Sequence, residues 1–287
     1  MKELLDLRLV QFAPVWLDSK ANASRAMAIA ETEAAEGADI IVFPELSNVG
    51  YVTPIRVGGV PEYPTGIDSA EEFRDAYVAA SESIGGEFIG ALEEVAGAYR
   101  CVIVAGVARR EGRALMNSAI VFGPAGIVGI HDKLHIPPQE KPFFTPGRRL
   151  EVFETPVARI GLGVCYDSRF PEMARFHARH EAELSLVVYA GADSVVPVLG
   201  TGDSLLYRSH VRAQENGIFF ALCNRVGVEG SSRFFGRSVV AGPTGAILGQ
   251  GDDSEMTLRV TLRATDLEKA RNVVDVLGDL RPELYYR

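Results

Sequence analysis

Short apolar segments alternate with amphipathic segments along the first hundred residues of the chain. Residues 7–12, 40–43 and 101–107 are apolar runs rich in β-branched side chains, which is typical of strands. Residues 19–36 and 86–100 lie between these runs and carry apolar positions at helical spacing. The order strand, helix, strand, helix, strand predicts an α/β unit whose strands run parallel.

The first helix has recognisable signals at both ends. Ser19 is expected to be its N-cap, and Gly37 is placed to end it. Ala26, Ile29 and Ala30 share one stripe of the helix surface. A helix with such a stripe needs a sheet to cover it, so this segment is predicted to pack on the strands that flank it in the sequence.

The rest of the chain repeats both kinds of segment and adds hairpins. Residues 117–133 and 237–251 each contain two strand-like runs joined by a Pro-x-Gly turn, which predicts antiparallel pairs. Further central strands are predicted at residues 160–165, 184–190 and 218–223, and further helices at residues 169–180, 203–216 and 265–272. The predicted fold class is therefore α/β with mixed sheets.

No shift in composition, no linker and no long repeat divides the sequence. We therefore expect a single domain over residues 1–287. Residues 273–287 have no clean helical or strand period. They are predicted to form a C-terminal arm that lies across another surface.

Composition and charge exclude several classes of function. Of the 287 residues, 29 are Lys or Arg and 38 are Asp or Glu, so the formal net charge is -9. A nucleic acid or an anionic membrane would bind against this negative field, and no basic patch offsets it. No apolar run approaches the roughly 20 residues that span a bilayer, and the opening residues are charged. We expect a cytoplasmic protein without nucleic-acid or membrane partners.

The cysteine content points to a reducing compartment. Three cysteines are too few for a disulfide framework, and an odd number leaves one cysteine without a partner. Cys101 and Cys223 lie within apolar runs and are expected to be small buried side chains. Cys165 is different because polar residues follow it directly.

Cys165 lies at the end of a predicted strand, where a helix is about to begin. Gly163 relieves crowding before the turn, and Asp167 and Ser168 are expected to cap the helix, with Pro171 in its first turn. A cysteine at such a turn is either a small buried side chain or a catalytic nucleophile. Because a free cysteine is mostly protonated at neutral pH, the site also needs a base or a nearby cation.

Three other segments place a charged residue at or just beyond a strand end. Glu45 follows Pro44, which stops the second strand, and a carboxylate against an apolar wall can act as a general base. Lys133 ends a predicted strand, and an ammonium in an apolar pocket can donate to an oxyanion. Glu140 lies in the loop that follows. Because loops converge at this edge of an α/β sheet, all three are expected to meet Cys165 in one pocket.

Taken in order, these segments resemble the active-site motifs of the nitrilase, or carbon–nitrogen hydrolase, superfamily. That family uses a glutamate, a lysine, a second glutamate and a cysteine. The matching residues of this chain are, in the same order, Glu45, Lys133, Glu140 and Cys165. The likeness covers nearly the whole chain and includes VQFAP, FPEL, KLHI, EKPFFTPG, GVCYDSRFPE, RSHVRAQEN, NRVG and GRSVVAGPTG. Ordered motifs of this kind are far more specific together than singly.

The resemblance implies a fold, an assembly and a mechanism. The fold is a four-layer αββα sandwich that commonly pairs into a homodimer or a larger homo-oligomer, and no metal or other cofactor is implied. In the family mechanism Glu45 takes the proton of Cys165, which then attacks the substrate. Lys133 and the backbone N–H of Tyr166 hold the anion that forms. Glu140 positions Lys133 or the substrate.

The residues after the nucleophile favour an amide as the small-molecule substrate. Family nitrilases usually carry Trp-Glu at this point, whereas Tyr166 and Asp167 follow here. We expect hydrolysis of small aliphatic or ω-amides to a carboxylic acid and ammonia, with nitriles and N-carbamoyl compounds as alternatives. Tyr51, Tyr166 and Phe144 are expected to contact the substrate. A lid-like loop over residues 58–68 is expected to influence specificity.

Three other interpretations use some of the same residues. His177 and His180 are three apart on a predicted helix and suit a metal site, but no further ligands complete it, and a solvated helix face is the simpler interpretation. His131 or His135 would activate Cys165 if the enzyme were papain-like. The third interpretation is a non-catalytic binding module on the same fold.

Overall fold

The structure is a computed structural model in which two six-stranded sheets carry helices on their outer faces. It describes residues 1–51, 55–57, 60–62, 67–193, 202–230 and 232–284. The strands are β1 (Leu4–Gln11), β2 (Ile40–Phe43), β3 (Ile55–Val57), β4 (Val60–Glu62), β5 (Val102–Glu111), β6 (Ala114–Gly123), β7 (Gly126–Asp132), β8 (Val152–Glu154), β9 (Arg159–Val164), β10 (Leu184–Tyr189), β11 (Phe219–Asn224), β12 (Val226–Glu229), β13 (Ser232–Phe235), β14 (Val239–Ala241), β15 (Ile247–Gln250) and β16 (Met256–Arg263). The helices are α1 (Ser19–Ala35), α2 (Ala70–Ala80), α3 (Glu87–Tyr99), α4 (Pro171–Arg179), α5 (Gly202–Gln214) and α6 (Ala264–Val273), with 3₁₀ turns at Cys165–Arg169 and Pro282–Leu284.

Each large sheet combines a parallel centre with antiparallel edges. The first has the strand order β16-β1-β2-β5-β6-β7, in which β1, β2 and β5 are parallel. The second has the order β15-β14-β11-β10-β9-β8, in which β9, β10 and β11 are parallel. The β6–β7 and β14–β15 pairs are the predicted hairpins, so the prediction of mixed sheets is confirmed.

The main core lies between the two sheets and follows the alternation of strand side chains. Leu5, Leu7 and Leu9 of β1 face this core, and so do Leu184 and Leu186 of β10 on the opposite sheet. All five side chains are buried. Because successive residues of a strand point to opposite faces, the residues between them cover the outer face of each sheet.

Helices cover both outer faces and complete the four layers. Ala26 and Ala30 of α1 and Leu92 of α3 pack on the first sheet. Met173 of α4 and Leu205 of α5 pack on the second. The layers therefore follow the order α, β, β, α, and the predicted αββα sandwich is confirmed. None of the described helices is long and apolar enough to cross a membrane.

The ends of two helices differ from the prediction by one or two residues. The N-cap of α1 is Asp18, whose side chain accepts from the Ala21 N–H at 2.9 Å, so the prediction of Ser19 as the cap is wrong. Gly37 follows the helix with a φ of +94°, as its role at the helix end requires. The fourth helix begins at Pro171 because the residues before it form a 3₁₀ turn.

The end of α6 and the segment after it expose apolar side chains. Val273, Val274 and Leu284 are 81%, 59% and 54% exposed. No described part of this chain covers these side chains, which suits a C-terminal arm over residues 273–287, although its contact with a partner stays a prediction. The predicted loop over residues 58–68 falls largely outside the described residues.

Candidate active site

Three of the predicted site residues lie at or just beyond strand ends. Glu45 is two residues beyond β2, and Lys133 directly follows β7 in the same sheet. These two strands run in the same direction, so their ends share one edge. Cys165 directly follows β9 in the other sheet. Loops from both sheets therefore meet at one end of the sandwich, as expected for a ligand site in an α/β protein.

Hydrogen bonds hold the segment that carries Glu45 against strand β5. The Ser47 N–H donates to the Gly106 carbonyl at 2.7 Å, and the Asn48 side chain accepts from the Ala108 N–H at 2.8 Å. A Cβ on Gly106 would lie 2.5 Å from the Cα of Glu45. The backbone of Glu45 can therefore lie against β5 only because residue 106 has no side chain.

This close approach leads to a prediction for Gly106→Ala. We expect the substitution to lower the free energy of unfolding by about 1–3 kcal/mol and to lower kcat, because the added methyl group pushes the Glu45 backbone away from β5. Urea unfolding and ammonia release measure the two effects. Gly90→Ala in α3 is the control: its Cβ meets nothing within 4 Å, so we expect unchanged kcat and unchanged or higher stability. Unchanged kcat in Gly106→Ala would contradict the prediction.

Lys133 lies between two carboxylates and is completely enclosed. Its Nζ donates to Glu45 Oε1 at 2.8 Å and to the two oxygens of Glu140 at 2.7 and 2.8 Å. All three side chains have 0% exposure. A single ammonium therefore neutralises part of the charge of two buried carboxylates, and these charges act on one another with little screening by solvent.

The pKa values of these groups reflect their burial and their mutual contacts. Burial alone would lower the pKa of Lys133, but the carboxylates of Glu140 and Glu45 outweigh it and raise that pKa well above its ordinary value. Burial raises the pKa of Glu140, with a further contribution from Glu45, while Lys133 opposes the rise. Lys133 is therefore a fixed cation at neutral pH.

The two carboxylate oxygens of Glu45 differ in their hydrogen bonding. Asn117 Nδ2 donates to Glu45 Oε1 at 2.7 Å, so this oxygen accepts from both Asn117 and Lys133. Glu45 Oε2 is buried and has no hydrogen-bond partner among the described residues. An oxygen in this state is suited to take a proton. Sequence reasoning missed Asn117, because an asparagine near the start of an apolar strand does not show which group it will face.

Cys165 occupies a strained turn between β9 and α4. Its φ is +45°, a value that residues with a side chain rarely adopt. A Cβ on Gly163 would overlap the sulfur of Met173, so glycine there lets α4 pack close to the strand. The Ser168 hydroxyl donates to the Cys165 carbonyl at 2.7 Å. The predicted position of this cysteine, at a turn between strand and helix, is confirmed.

The Cys165 thiol shares its surroundings with the three charged residues. Burial has the largest effect and raises the pKa of the thiol well above its ordinary value, and the charges of Glu45 and Glu140 add to the rise. Lys133 and the backbone N–H of Ala190, just after β10, oppose it. The structure therefore brings all four predicted residues together in one cluster, and their combined effect favours the protonated form of the thiol.

The raised pKa of this thiol predicts how it will react with iodoacetamide. Since only the thiolate is alkylated, we expect slow labelling of Cys165 at pH 7 and a rate that rises about tenfold per pH unit. This rise should continue past pH 9, where free cysteine, with a pKa of about 8.5, levels off. Mass spectrometry of the Cys165 peptide gives the rate, with free cysteine as the reference. A rate that levels off below pH 7 would mean a preformed thiolate and would contradict the prediction.

Tyr51 connects Glu140 to a second buried ion pair. Its hydroxyl donates to Glu140 Oε1 at 2.6 Å. Its backbone N–H donates to Glu229 at 2.9 Å, and Glu229 in turn pairs with Arg225 at 2.5 Å. Burial and the charge of Glu140 raise the pKa of Tyr51, so the phenol keeps its proton. Sequence reasoning named Tyr51 and included Arg225 only within the NRVG motif, and it missed Glu229, which ends the distant strand β12.

Known proteins are similar to this sequence over almost its whole length. The family model described as carbon–nitrogen hydrolase matches residues 6–273. The chain belongs to this family. A nitrilase from Pyrococcus abyssi is 30% identical over 290 residues, which cover 99% of this chain and 100% of that protein. An omega-amidase from Homo sapiens is 29% identical over 279 residues, covering 92% and 91%.

Solved structures of other carbon–nitrogen hydrolases share the fold. The carbon–nitrogen hydrolase from Helicobacter pylori G27 matches with a TM-score of 0.85 at 24% identity, covering 98% of this chain and 97% of that one. A variant of the amidase from Nesterenkonia AN1 matches with a TM-score of 0.75 at 28% identity, covering 98% and 95%. Other structures of that amidase carry covalent adducts at the active-site cysteine.

Two aromatic residues predicted to contact substrate have different environments in this carbon–nitrogen hydrolase. Tyr166 is half-buried beside Cys165, and its ring packs edge-on to Phe170 with 5.5 Å between centroids. Phe144 is only 6% exposed and packs edge-on to Tyr77 in a cluster of core side chains. The environment of Phe144 is that of a core residue, and its contact with substrate stays a prediction.

Asp167 and Ser168 do not cap the following helix, so that prediction is wrong. The N-cap of α4 is Phe170, and both residues lie earlier, inside the 3₁₀ turn. Asp167 instead accepts hydrogen bonds from the segment around Lys133. His131 Nε2 and His135 Nδ1 hydrogen-bond its carboxylate at 3.2 and 2.7 Å. Each ring therefore directs one of its nitrogens to the carboxylate of Asp167.

The two histidines considered as metal ligands also differ from each other. His177 is fully buried, with its Nδ1 2.9 Å from Ser185 Oγ, and burial lowers its pKa to about 3. The predicted solvated face is therefore wrong for His177: residue 161 is a glycine, and this allows the ring to pack directly on β9. His180 is exposed. In the part of the chain that the structure describes, no group of three or more His, Cys, Asp or Glu side chains is placed to hold a metal.

Proposed function

We propose that this carbon–nitrogen hydrolase converts small amides, aliphatic or ω-amides, to a carboxylic acid and ammonia through a thioester at Cys165. The observation that carries the proposal is the enclosed Lys133 ammonium, bonded to two carboxylates beside a thiol. Acyl transfer needs a nucleophile, a base that takes its proton and a donor to the oxyanion. These groups supply one of each.

In the first half of the proposed reaction, the Cys165 sulfur bonds to the amide carbon while Glu45 takes the thiol proton. The carbonyl oxygen becomes an anion, which Lys133 and the backbone N–H of Tyr166 stabilise. The C–N bond then breaks as Glu45 passes its proton to the nitrogen. Ammonia leaves, and the acyl group stays on the sulfur as a thioester.

In the second half, water replaces the nitrogen. Glu45 takes a proton from water as the water oxygen bonds to the thioester carbon. The C–S bond breaks, and the proton passes to the sulfur of Cys165. One amide and one water give one carboxylic acid and one ammonia, and the site returns to its first state.

Glu140 holds the ammonium in this proposal and does not itself exchange protons with the substrate. Both of its oxygens contact the Lys133 Nζ, and the Tyr51 hydroxyl fixes one of them. This arrangement keeps Nζ aimed at one place while the charge on the substrate develops. Tyr51, Tyr166 and Phe144 are proposed to line the space for the substrate.

The relatives support amides as the substrate class. Several similar proteins are omega-amidases, among them the Homo sapiens protein at 29% identity. The Nesterenkonia amidase has been crystallised with acrylamide, and one of its variants carries the acetamide moiety of fluoroacetamide at the active-site cysteine. The Tyr-Asp pair after Cys165 points the same way.

Nitriles are the second candidate substrates, and the nitrilase from Pyrococcus abyssi, at 30% identity, favours them. The chemistry begins in the same way, because a thiol adds to a nitrile carbon as it does to an amide carbonyl. N-carbamoyl amines and amino acids are a third class that the same four groups would hydrolyse.

A substrate panel tests the proposal. Ammonia release is measured with propionamide, the monoamide of succinic acid, propionitrile and N-carbamoyl-β-alanine at equal concentrations. We expect the highest kcat/KM for one of the two amides. Turnover of the nitrile alone would reverse the ranking, and turnover of none of the four would overturn the proposal.

Assembly and location are carried over from the sequence as parts of the same proposal. The family resemblance predicts a homodimer or a larger homo-oligomer, and the exposed Val273 and Leu284 of the C-terminal arm suit a subunit contact. The composition and the cysteine content predict a location in the cytoplasm. Light scattering of the purified protein gives the oligomer size. A monomer at micromolar concentration would contradict the prediction of a homodimer.

A further inference from the structure

The nucleophile and the ammonium of the proposed site belong to different sheets. Cys165 follows β9 in the second sheet, and Lys133 follows β7 in the first. Reacting groups must be held within about half an ångström of their working positions for full activity. A contact that ties these two segments together would therefore control the rate.

Asp167 makes this connection. Its Oδ1 accepts from the backbone N–H of His135 at 2.8 Å and faces Nδ1 of the same residue at 2.7 Å. Its Oδ2 accepts from the backbone N–H of Leu134 at 3.4 Å and faces His131 Nε2 at 3.2 Å. The same Oδ2 accepts from the backbone N–H of Val164 at 3.2 Å. One carboxylate thus binds residues on both sides of Lys133 and the residue just before Cys165.

We infer that Asp167 is the positioning residue that sets the place of the Cys165 sulfur relative to the Lys133 ammonium. This inference rests on the proposed function, since it requires that the thiol and the ammonium act on one substrate. Asp167 itself touches neither the substrate nor the reacting atoms. It acts through the two segments it joins.

The chemistry of the contact requires a carboxylate. Asp167 has 0% exposure and faces five donors, all of them N–H groups if each histidine carries its proton on the nearer nitrogen. An ionised carboxylate only accepts and offers about four lone-pair positions, whereas an amide has one oxygen and would turn an NH₂ group toward other donors. The contacts with His131 and His135 hold the pKa of Asp167 far below its usual range against the opposing effect of burial.

The backbone at Cys165 gives a second reason for the contact. A φ of +45° on a residue with a side chain persists only where the surroundings hold it. Asp167 holds the N–H of Val164 on one side of the strained residue, and Ser168 holds the carbonyl of Cys165 on the other. Weakening the Asp167 contact should let the turn relax and move the sulfur.

Asp167→Asn tests the inference with little change in volume. We expect kcat to fall about 100-fold, the cost of a misplacement of about 1 Å, with KM within about threefold of the unmodified protein. The pH profile of kcat/KM should keep its shape, because Glu45 remains the base. Glu33→Gln is the matched control: this carboxylate is also buried and paired, with Arg8 at 2.6 Å and Arg259 at 3.2 Å, but none of its described contacts reaches the site. Glu33→Gln should lower the free energy of unfolding and leave kcat unchanged.

His135→Ala decides the question if Asp167→Asn does not fold. The side chain of His135 is 35% exposed, so its loss is tolerable for the fold, and one of the five contacts with Asp167 disappears. We expect kcat to fall about tenfold with an unchanged pH profile. His180→Ala is its control, because His180 stacks on Phe176 at 3.8 Å much as His135 stacks on Phe170 at 3.6 Å.

Several results would overturn the inference. One is a kcat for Asp167→Asn within threefold of the unmodified protein, and another is an equal loss of kcat in Glu33→Gln. A third is the loss of one limb of the pH profile in His135→Ala, which would place the ring of His135 in the chemistry. Failure of the proposed function would look different, since the unmodified protein would then release no ammonia from amides.

Discussion

Replacing Cys165 with alanine is expected to lower kcat/KM for amide hydrolysis by about 10⁴-fold or more. Without the sulfur no thioester forms, and only substrate binding and the Lys133 ammonium are left to speed the attack of water. Ammonia release at high enzyme concentration measures the residual rate. The fold should be largely unaffected, because alanine keeps most of the volume of cysteine and the Cys165 side chain is only partly buried at the edge of the core.

Cys101→Ala is the control for this prediction. Cys101 is also a free thiol, but it is buried in the core between the first sheet and its helices. Its removal should cost some stability and leave the activity of each folded molecule unchanged. Amide turnover by Cys165→Ala at the rate of Cys101→Ala would contradict the assignment of the nucleophile.

The second large effect is expected for Lys133→Met, which should lose both activity and stability. Methionine fills nearly the same volume but leaves Glu45 and Glu140 buried together without a cation. Removing one partner of a buried ion pair typically costs about 3–5 kcal/mol, and here one ammonium serves two carboxylates. Urea unfolding at pH 7 should show a loss of at least this size, and amide turnover should fall below detection.

A double variant separates the two effects of Lys133. In Lys133→Met with Glu140→Gln only one buried carboxylate, that of Glu45, is left without a cation, so part of the lost free energy of unfolding should return. Activity should not return, because no cation is left to stabilise the oxyanion. A double variant as unstable as Lys133→Met would contradict the charge argument. Restored activity would contradict the role of the ammonium.

Much of the fold follows from local patterns in the sequence. The alternation of apolar runs and amphipathic segments predicted the central strands and five of the six described helices, because buried strands and sheet-covering helices have distinct periods. It did not predict the edge strand β16 or the helix α2. The family resemblance supplied the four-layer arrangement. One prediction that was wrong concerns the end of a helix. Asp18 takes the cap predicted for Ser19, since neighbouring polar residues compete for the same backbone N–H groups.

The contacts of the site were harder to predict than its members. Asp167 looked like a helix cap because a helix follows it closely, but four of its five donors come from β7 and the segment beyond, which the sequence near Asp167 does not reveal. Asn117 and Glu229 were missed for the same reason. Each reaches the site through the register of a strand or hairpin far away in the chain. Long-range packing, which single-sequence patterns do not encode, decides these contacts.

The most direct test of the account is the site of covalent reaction with fluoroacetamide, whose loss of fluoride leaves an acetamide moiety on an attacking thiolate. The protein is incubated with the reagent, assayed for amide hydrolysis at intervals and mapped by mass spectrometry. We expect one acetamide moiety on Cys165, none on Cys101 or Cys223, loss of activity in step with labelling, and protection by excess propionamide. Full activity in protein labelled at Cys165 would contradict the claim that this sulfur, held beside Glu45 and Lys133, performs the reaction.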